Sequence, residues 1–158
     1  MRRQNPDGFS LIELLIVVTI LGIIASIAIP NLLASRRAAN EGSALQSMRT
    51  ISSCENAYKF TYGNGSFTDL PTLGAKVLTD GVLSTGTKSG YSFVATPVAG
   101  PPDQFWASAF PTVTSGVSQT GTRRFAIADD AVLRGDNNLA AGPPATLAAE
   151  QLMQGMGN

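Results

Sequence analysis

The chain of 158 residues has no histidine, and its only cysteine is Cys54. Without histidine there is no Ser–His–Asp arrangement, no imidazole base poised near neutral pH, and almost none of the familiar zinc sites. A single cysteine cannot close a disulfide within the chain, so loops must be held by packing, capping or ion pairs. An excess of charge is missing as well. The 11 basic residues face 11 acidic ones, and that balance leaves no basic footprint for nucleic acid. Enzyme readings are therefore short of parts, and neither a catalytic residue nor a cofactor is expected.

What the chain does have is one long uncharged run. Residues Leu14 to Ile29 carry no charge, and they follow the hexapeptide GFSLIE at Gly8 to Glu13. About 21 residues from Phe9 to Ile29, at ~1.5 Å each, span roughly 32 Å, close to the hydrocarbon thickness of a bilayer. The leader sets Arg2 and Arg3 against Asp7, so the positive-inside tendency keeps it cytoplasmic and sends the bulk of the chain outward. A secretory signal is the competing reading, but its apolar core usually runs about 7–15 residues. This core is longer, and Ser26 to Ala28 is only a weak cleavage site.

Glu13 is the residue that a plain anchor would not carry. An acid at membrane depth costs on the order of 2.5–3.5 kcal/mol on insertion scales. A cut between Gly8 and Phe9 would create an α-amino group four residues before it, a cationic partner either within the chain or on a neighbouring chain packed with an axial stagger. At ~4 Å and an effective dielectric near 20, the attraction is about 4 kcal/mol before desolvation, which makes it an alignment device more than a source of cohesion.

The stretch GFSLIELLIVVTILGIIASIAIPNL resembles the class III signal and N-terminal helix of type IV pilins and pseudopilins. The resemblance implies that Gly8 precedes a prepilin peptidase cut, that Phe9 becomes an N-methylated first residue, and that Glu13 aligns subunits. Pro30 falls where the family often has a helix-breaking proline, and Gly22 adds a second weak point where the helix can kink. Ser10 stands where many members have threonine. The lone Cys54 departs from the many pilins that staple a C-terminal loop with a disulfide. The partners implied are prepilin peptidase, an inner-membrane platform protein, a cytoplasmic assembly ATPase and sister pilins.

Beyond Pro30 the pattern turns amphipathic. Ala44, Met48, Ile51, Cys54 and Tyr58 make one stripe at helical spacing, with Arg36, Arg37, Glu41, Arg49, Glu55 and Lys59 mostly off it. Glu55 and Lys59 are set as an i,i+4 pair, and Gly63, Asn64 and Gly65 supply a stop near Tyr62. Ser66 to Gly90 reads as a connector with a short helix near Thr72 to Leu78. Strands are expected at Tyr91–Thr96, Phe105–Phe110, Arg124–Ala128 and Ala131–Arg134. The segments ALQSMRTISSCENAYKFTYGNG, GYSF and RRFAIADDAVLRGD are similar to small bacterial pilin-like proteins. The expected class is α+β: a pilin-like fold with one long N-terminal helix on a small antiparallel sheet. Its division is a leader over 1–8, a membrane and assembly helix over 9–30, a globular domain over 31–138, and a mobile or peripheral tail over 139–158. In that tail only Thr146 to Met153 could turn helical.

Four further features have local explanations. Cys54 lies on the buried stripe, where a free thiol acts as a small apolar residue. Asp129, Asp130, Asp136, Asn137 and Asn138 offer oxygen ligands, and some pseudopilins bind calcium with such loop acids. Asp129 and Asp130 nevertheless sit at an expected hairpin turn without EF-hand spacing, so no metal is expected. Asn64 to Ser66 fits a glycosylation pattern, although Asn between two glycines is what a helix end needs. Phe105, Trp106 and Phe110 could face outward as an adhesive surface, but aromatics in a strand opposite a helix are usually core.

The function expected from these residues is that of a structural subunit of a type IV pilus-like filament, made as a single-pass protein of the bacterial inner membrane with its N-terminus cytoplasmic. A pseudopilin of a type II secretion system is the alternative within the class. A membrane-anchored binding module is the alternative from another class, and for it Glu13 would be dispensable.

Overall fold

The computed structural model describes residues 8–155; the expected leader, apart from Gly8, lies outside the described residues. Two compact units are formed, one of residues up to Ser35 and one from Arg36 onward. Helix α1, Leu11–Thr61, supplies most of the first unit and the opening element of the second.

In the first unit the run of Leu, Ile and Val is helical, and its few hydroxyls are satisfied inside the helix. Thr19 Oγ1 donates to the Leu15 carbonyl at 2.7 Å and Ser26 Oγ to that of Ile23 at 2.7 Å, so neither is left as an unmet polar group. Pro30 lies within α1 and does not end it. The large apolar side chains of this unit are exposed, Leu11 at 81% and Ile27 at 65%, and α1 is long and apolar enough to cross a membrane.

In the second unit Ala44, Met48 and Ile51 of α1 are fully buried, as the helical stripe requires. They meet a five-stranded antiparallel sheet in sequential order: β1 Thr87–Lys88, β2 Tyr91–Val98, β3 Gln104–Pro111, β4 Arg124–Ala128 and β5 Arg134–Asp136. Register is set by pairs such as Phe93 with Ala109, Ala109 with Phe125, and Phe125 with Gly135. Phe93, Ala95, Phe105, Ala107, Phe125 and Ile127 join α1 in the core. The α+β, pilin-like arrangement is therefore present.

Several elements differ from expectation. The last strand is not Ala131–Arg134 but Arg134–Asp136. Residues 129–133 are used by the turn: the Ala131 N–H donates to the Ala128 carbonyl at 3.0 Å and Ala131 takes a φ of 56°. Helix α2 spans Leu70–Lys76 instead of Thr72–Leu78. Asp69 caps it, and Pro71 sits in its first turn, where a missing N–H costs nothing. The brief α3, Gly81–Ser84, and β1 had no clear periodic signal.

Glu55 and Lys59 do not pair. Glu55 is fully buried and takes the Thr68 N–H at 3.1 Å, while Lys59 Nζ lies 4.2 Å from the Phe67 ring centroid. The amphipathic pattern placed Glu55 beside the stripe; the turn after α1 then folds over it and supplies its partner.

In the region expected as a mobile or peripheral tail, Leu139–Ala141 forms a 3-10 turn, and α4 spans Leu147–Gln151, inside the Thr146 to Met153 stretch read as able to turn helical. Glu150 and Met153 are buried, and α4 contacts β3 and β4. Both faces of those strands are buried, so Trp106, Ser108 and Ala126 on the second face need a cover.

Candidate functional site

The site built by the N-terminal residues is small and open. Gly8 has free space around its Cα, and Phe9 is 77% exposed. Ser10 precedes α1; its carbonyl accepts the Leu14 N–H at 3.2 Å, and its own N–H donates to Glu13 Oε2 at 2.9 Å. That second bond is the carboxylate half of a capping box, which satisfies a backbone donor that the helix cannot and puts negative charge at the positive end of the helix dipole. The expectation for Glu13 invoked only a cation. The Ser-x-x-Glu spacing of Ser10 and Glu13 is the signal that would have revealed the cap. The groups brought together are thus the Ser10 backbone N–H and the Glu13 carboxylate, at the head of an exposed apolar helix.

Residues 3–29 match the prokaryotic N-terminal methylation motif. The N-terminal segment is thereby similar to that of type IV pilins and pseudopilins. Over 59 residues the chain is 36% identical to the type II secretion system core protein G of Klebsiella michiganensis, a match covering 37% of this chain and 42% of the relative. It is 39% identical over 59 residues to the core protein G of Vibrio cholerae, covering 37% and 39%. With the type IV wide pilus major component of Thermus thermophilus it shares 58% identity over 38 residues, covering 24% of this chain and 29% of the relative. The chain thus aligns with less than half the length of each of these curated relatives. No solved structure matches it. Phe9, Ser10 and Glu13 all fall inside the methylation motif, and the cap just described is the geometry of its first helical turn.

The remaining sequence candidates are not gathered at this site. Asp130 Oδ2 pairs with Arg134 at 2.5 Å, and Asp136 binds Arg124 through two bonds of 2.7 and 2.8 Å. The hydrogen bonds from those guanidinium groups hold both acids below the usual carboxylate range. Their oxygens are thereby turned toward arginine, and among the described residues no group of three or more acidic, cysteine or histidine side chains converges on a metal position. Cys54 packs against the core, and burial pushes its thiol up. Asn64 takes a φ of 48° in the turn that ends α1. Phe105 and Trp106 are buried and Phe110 is partly so.

Two buried acids carried no sequence signal as a site. Glu55 is lifted to about 7, first by burial and then by Asp69, against the Thr68 hydrogen bond. Glu150 is raised by burial although Arg134 Nη1 donates to it at 2.7 Å. Each leaves one oxygen, Glu55 Oε1 and Glu150 Oε2, without a hydrogen-bond partner.

Proposed function

We propose that the chain is a structural subunit of a type IV pilus-like filament. It waits in the inner membrane as a single-pass protein with Arg2 and Arg3 on the cytoplasmic side. Prepilin peptidase cuts between Gly8 and Phe9 and Phe9 is N-methylated, after which the subunit polymerises through its N-terminal helix. The observation that carries this reading is the first unit itself: an apolar helix exposed along its length, with one acid in its first turn.

Exposed apolar side chains of this kind need lipid or one another, and exchange between the two preserves their burial. Glu13 uses Oε2 for the Ser10 N–H, which leaves Oε1 for the ammonium that cleavage creates at Phe9. A platform protein and a cytoplasmic ATPase would drive the transfer from membrane to filament. Intact mass and N-terminal sequencing of the protein recovered from cells test the scheme. A methylated chain beginning at Phe9 is the expected result; a chain still beginning at Met1, or one cut beyond Pro30, overturns it.

The matches to secretion-system core proteins favour one second reading, a type II pseudopilus subunit. Copy number in purified surface fibres separates the two: a pilus subunit is abundant there, whereas a pseudopilus subunit is absent and its deletion blocks export of secreted enzymes.

A further inference from the structure

A groove of about 420 Å³ lies in the second unit, between α1 and the turn from β4 to β5. That size is within the range of small-molecule sites, roughly 300–1,000 Å³. Its α1 wall is Arg49, Ser52, Ser53 and Asn56, whose i, i+3, i+4, i+7 spacing puts all four on one face of the helix. Its floor is apolar, made by Ile127 and Leu133, each 2% exposed.

The polar groups of that wall are uncommitted. Arg49 is exposed, and its side chain makes no ion pair or hydrogen bond among the described residues. Ser52 is only 5% exposed, yet its hydroxyl has no partner among the described residues either. Unlike the Ser47 hydroxyl, it is not sealed from solvent, so it opens onto the groove. Asn56 Nδ2 donates to the Ser52 carbonyl at 2.9 Å, which orients the amide and leaves its second N–H for another acceptor. Among the described residues no acid lines the groove, and Asp130 on the turn beside it is held by Arg134.

We propose that this groove binds a small monocarboxylate with an aliphatic tail. The planar fork of Arg49 matches a carboxylate through two parallel bonds. Ser52 and Asn56 add donors from the same wall, and the tail covers Ile127 and Leu133. A single cation sets the charge of the ligand, because a phosphate dianion would bring a second charge with nothing to pair it. The inference rests on the fold of the second unit and not on membrane insertion or processing.

The test titrates the isotope-labelled full chain, in zwitterionic detergent at about pH 7, where the acid is ionised. Hexanoate, hexanamide and acetate are compared by NMR at constant ionic strength. Hexanoate should shift the amides of Ser52, Ser53 and Asn56 and the methyls of Ile127. It should bind at least about tenfold more tightly than hexanamide, which lacks the charge, and than acetate, which lacks the tail. Arg49→Gln should weaken hexanoate about tenfold and Ser52→Ala about fivefold. Both variants keep the core, since Arg49 is exposed and Ser52→Ala removes only a hydroxyl. Hexanamide binding as tightly as hexanoate, hexanoate binding that Arg49→Gln leaves unchanged, or no hexanoate shift at these residues overturns the proposal.

Discussion

The Thr68 N–H donates to Glu55 Oε2 at 3.1 Å, while the neighbouring oxygen Oε1 is buried without a partner. One backbone donor is thus the whole hydrogen-bonded compensation for a carboxyl removed from water, and burial lifts the group to about 7. Because this value is above the ordinary 4.5, folding favours the protonated form. The associated stability is fully present below about pH 4.5 and is lost as pH rises through about 7, a change on the order of 3 kcal/mol.

Glu55→Gln keeps the shape and removes the ionisation. Urea unfolding in detergent should find the variant about 2–3 kcal/mol more stable than the parent at pH 8, with the two converging near pH 4.5. A difference that does not change with pH would rule out Glu55 as the titrating group.

Gly63 admits no side chain. Its N–H donates to the Tyr58 carbonyl at 2.8 Å as α1 ends, and a Cβ there would overlap the Ser66 carbonyl oxygen and touch the Tyr58 ring at 3.0 Å. Gly63→Ala should therefore destabilise the second unit by more than about 1 kcal/mol. Thermal melting checks this, with Gly65→Asn as a milder control, since Gly65 has open space but a φ of +98°.

Arg124 is mostly buried and grips Asp136 through two bonds, with a third to the Gly142 carbonyl at 2.7 Å. Removing the acid strands the guanidinium, so Asp136→Ala should cost about 2–4 kcal/mol, while Arg124→Met with Asp136→Leu should recover much of it. The arginine holds Asp136 below its ordinary 3.8, so this pair's stability is present above about pH 4 and falls away in stronger acid. Denaturation midpoints at pH 3 and pH 6 should show a larger loss in the parent than in the double variant, in which Asp130 and Arg134 still pair.

Glu13→Gln retains an acceptor for the Ser10 N–H but cannot attract a new ammonium at Phe9. On the proposed function it is processed normally and recovered in fibres at a small fraction of the parent level, on the order of tenfold less. Fibres as abundant and regular as the parent's would remove the electrostatic role of Glu13, and an anchored binding module would become the better account.

Much of the fold could be read from periodicity. Ala44, Met48 and Ile51 recur at helical spacing and are all fully buried, and β2, β3 and β4 lie where alternation and turn residues put them. Periodicity failed where a single residue's environment is made by a distant segment. Nothing local distinguishes Glu55 from the solvent-facing acids of α1 until Thr68 arrives over it. In the same way, the Ala- and Pro-rich stretch after Leu139 looks too poor in apolar surface to pack, until the second face of β3 and β4 asks for a cover. Ser10 and Glu13 are the opposite case, a cap legible from four residues and overshadowed by the question of charge in a membrane.

By itself the sequence determined the N-terminal helix, its lone acid and the methylation motif, because those depend on composition and on contacts no more than four residues apart. Tertiary structure alone decided that Glu55 is buried, that β5 begins at Arg134, and that residues 146–155 lie on the sheet. Each of these depends on which backbone donors and apolar faces remain unmet after the local elements form, and that is known only once distant parts of the chain are in place.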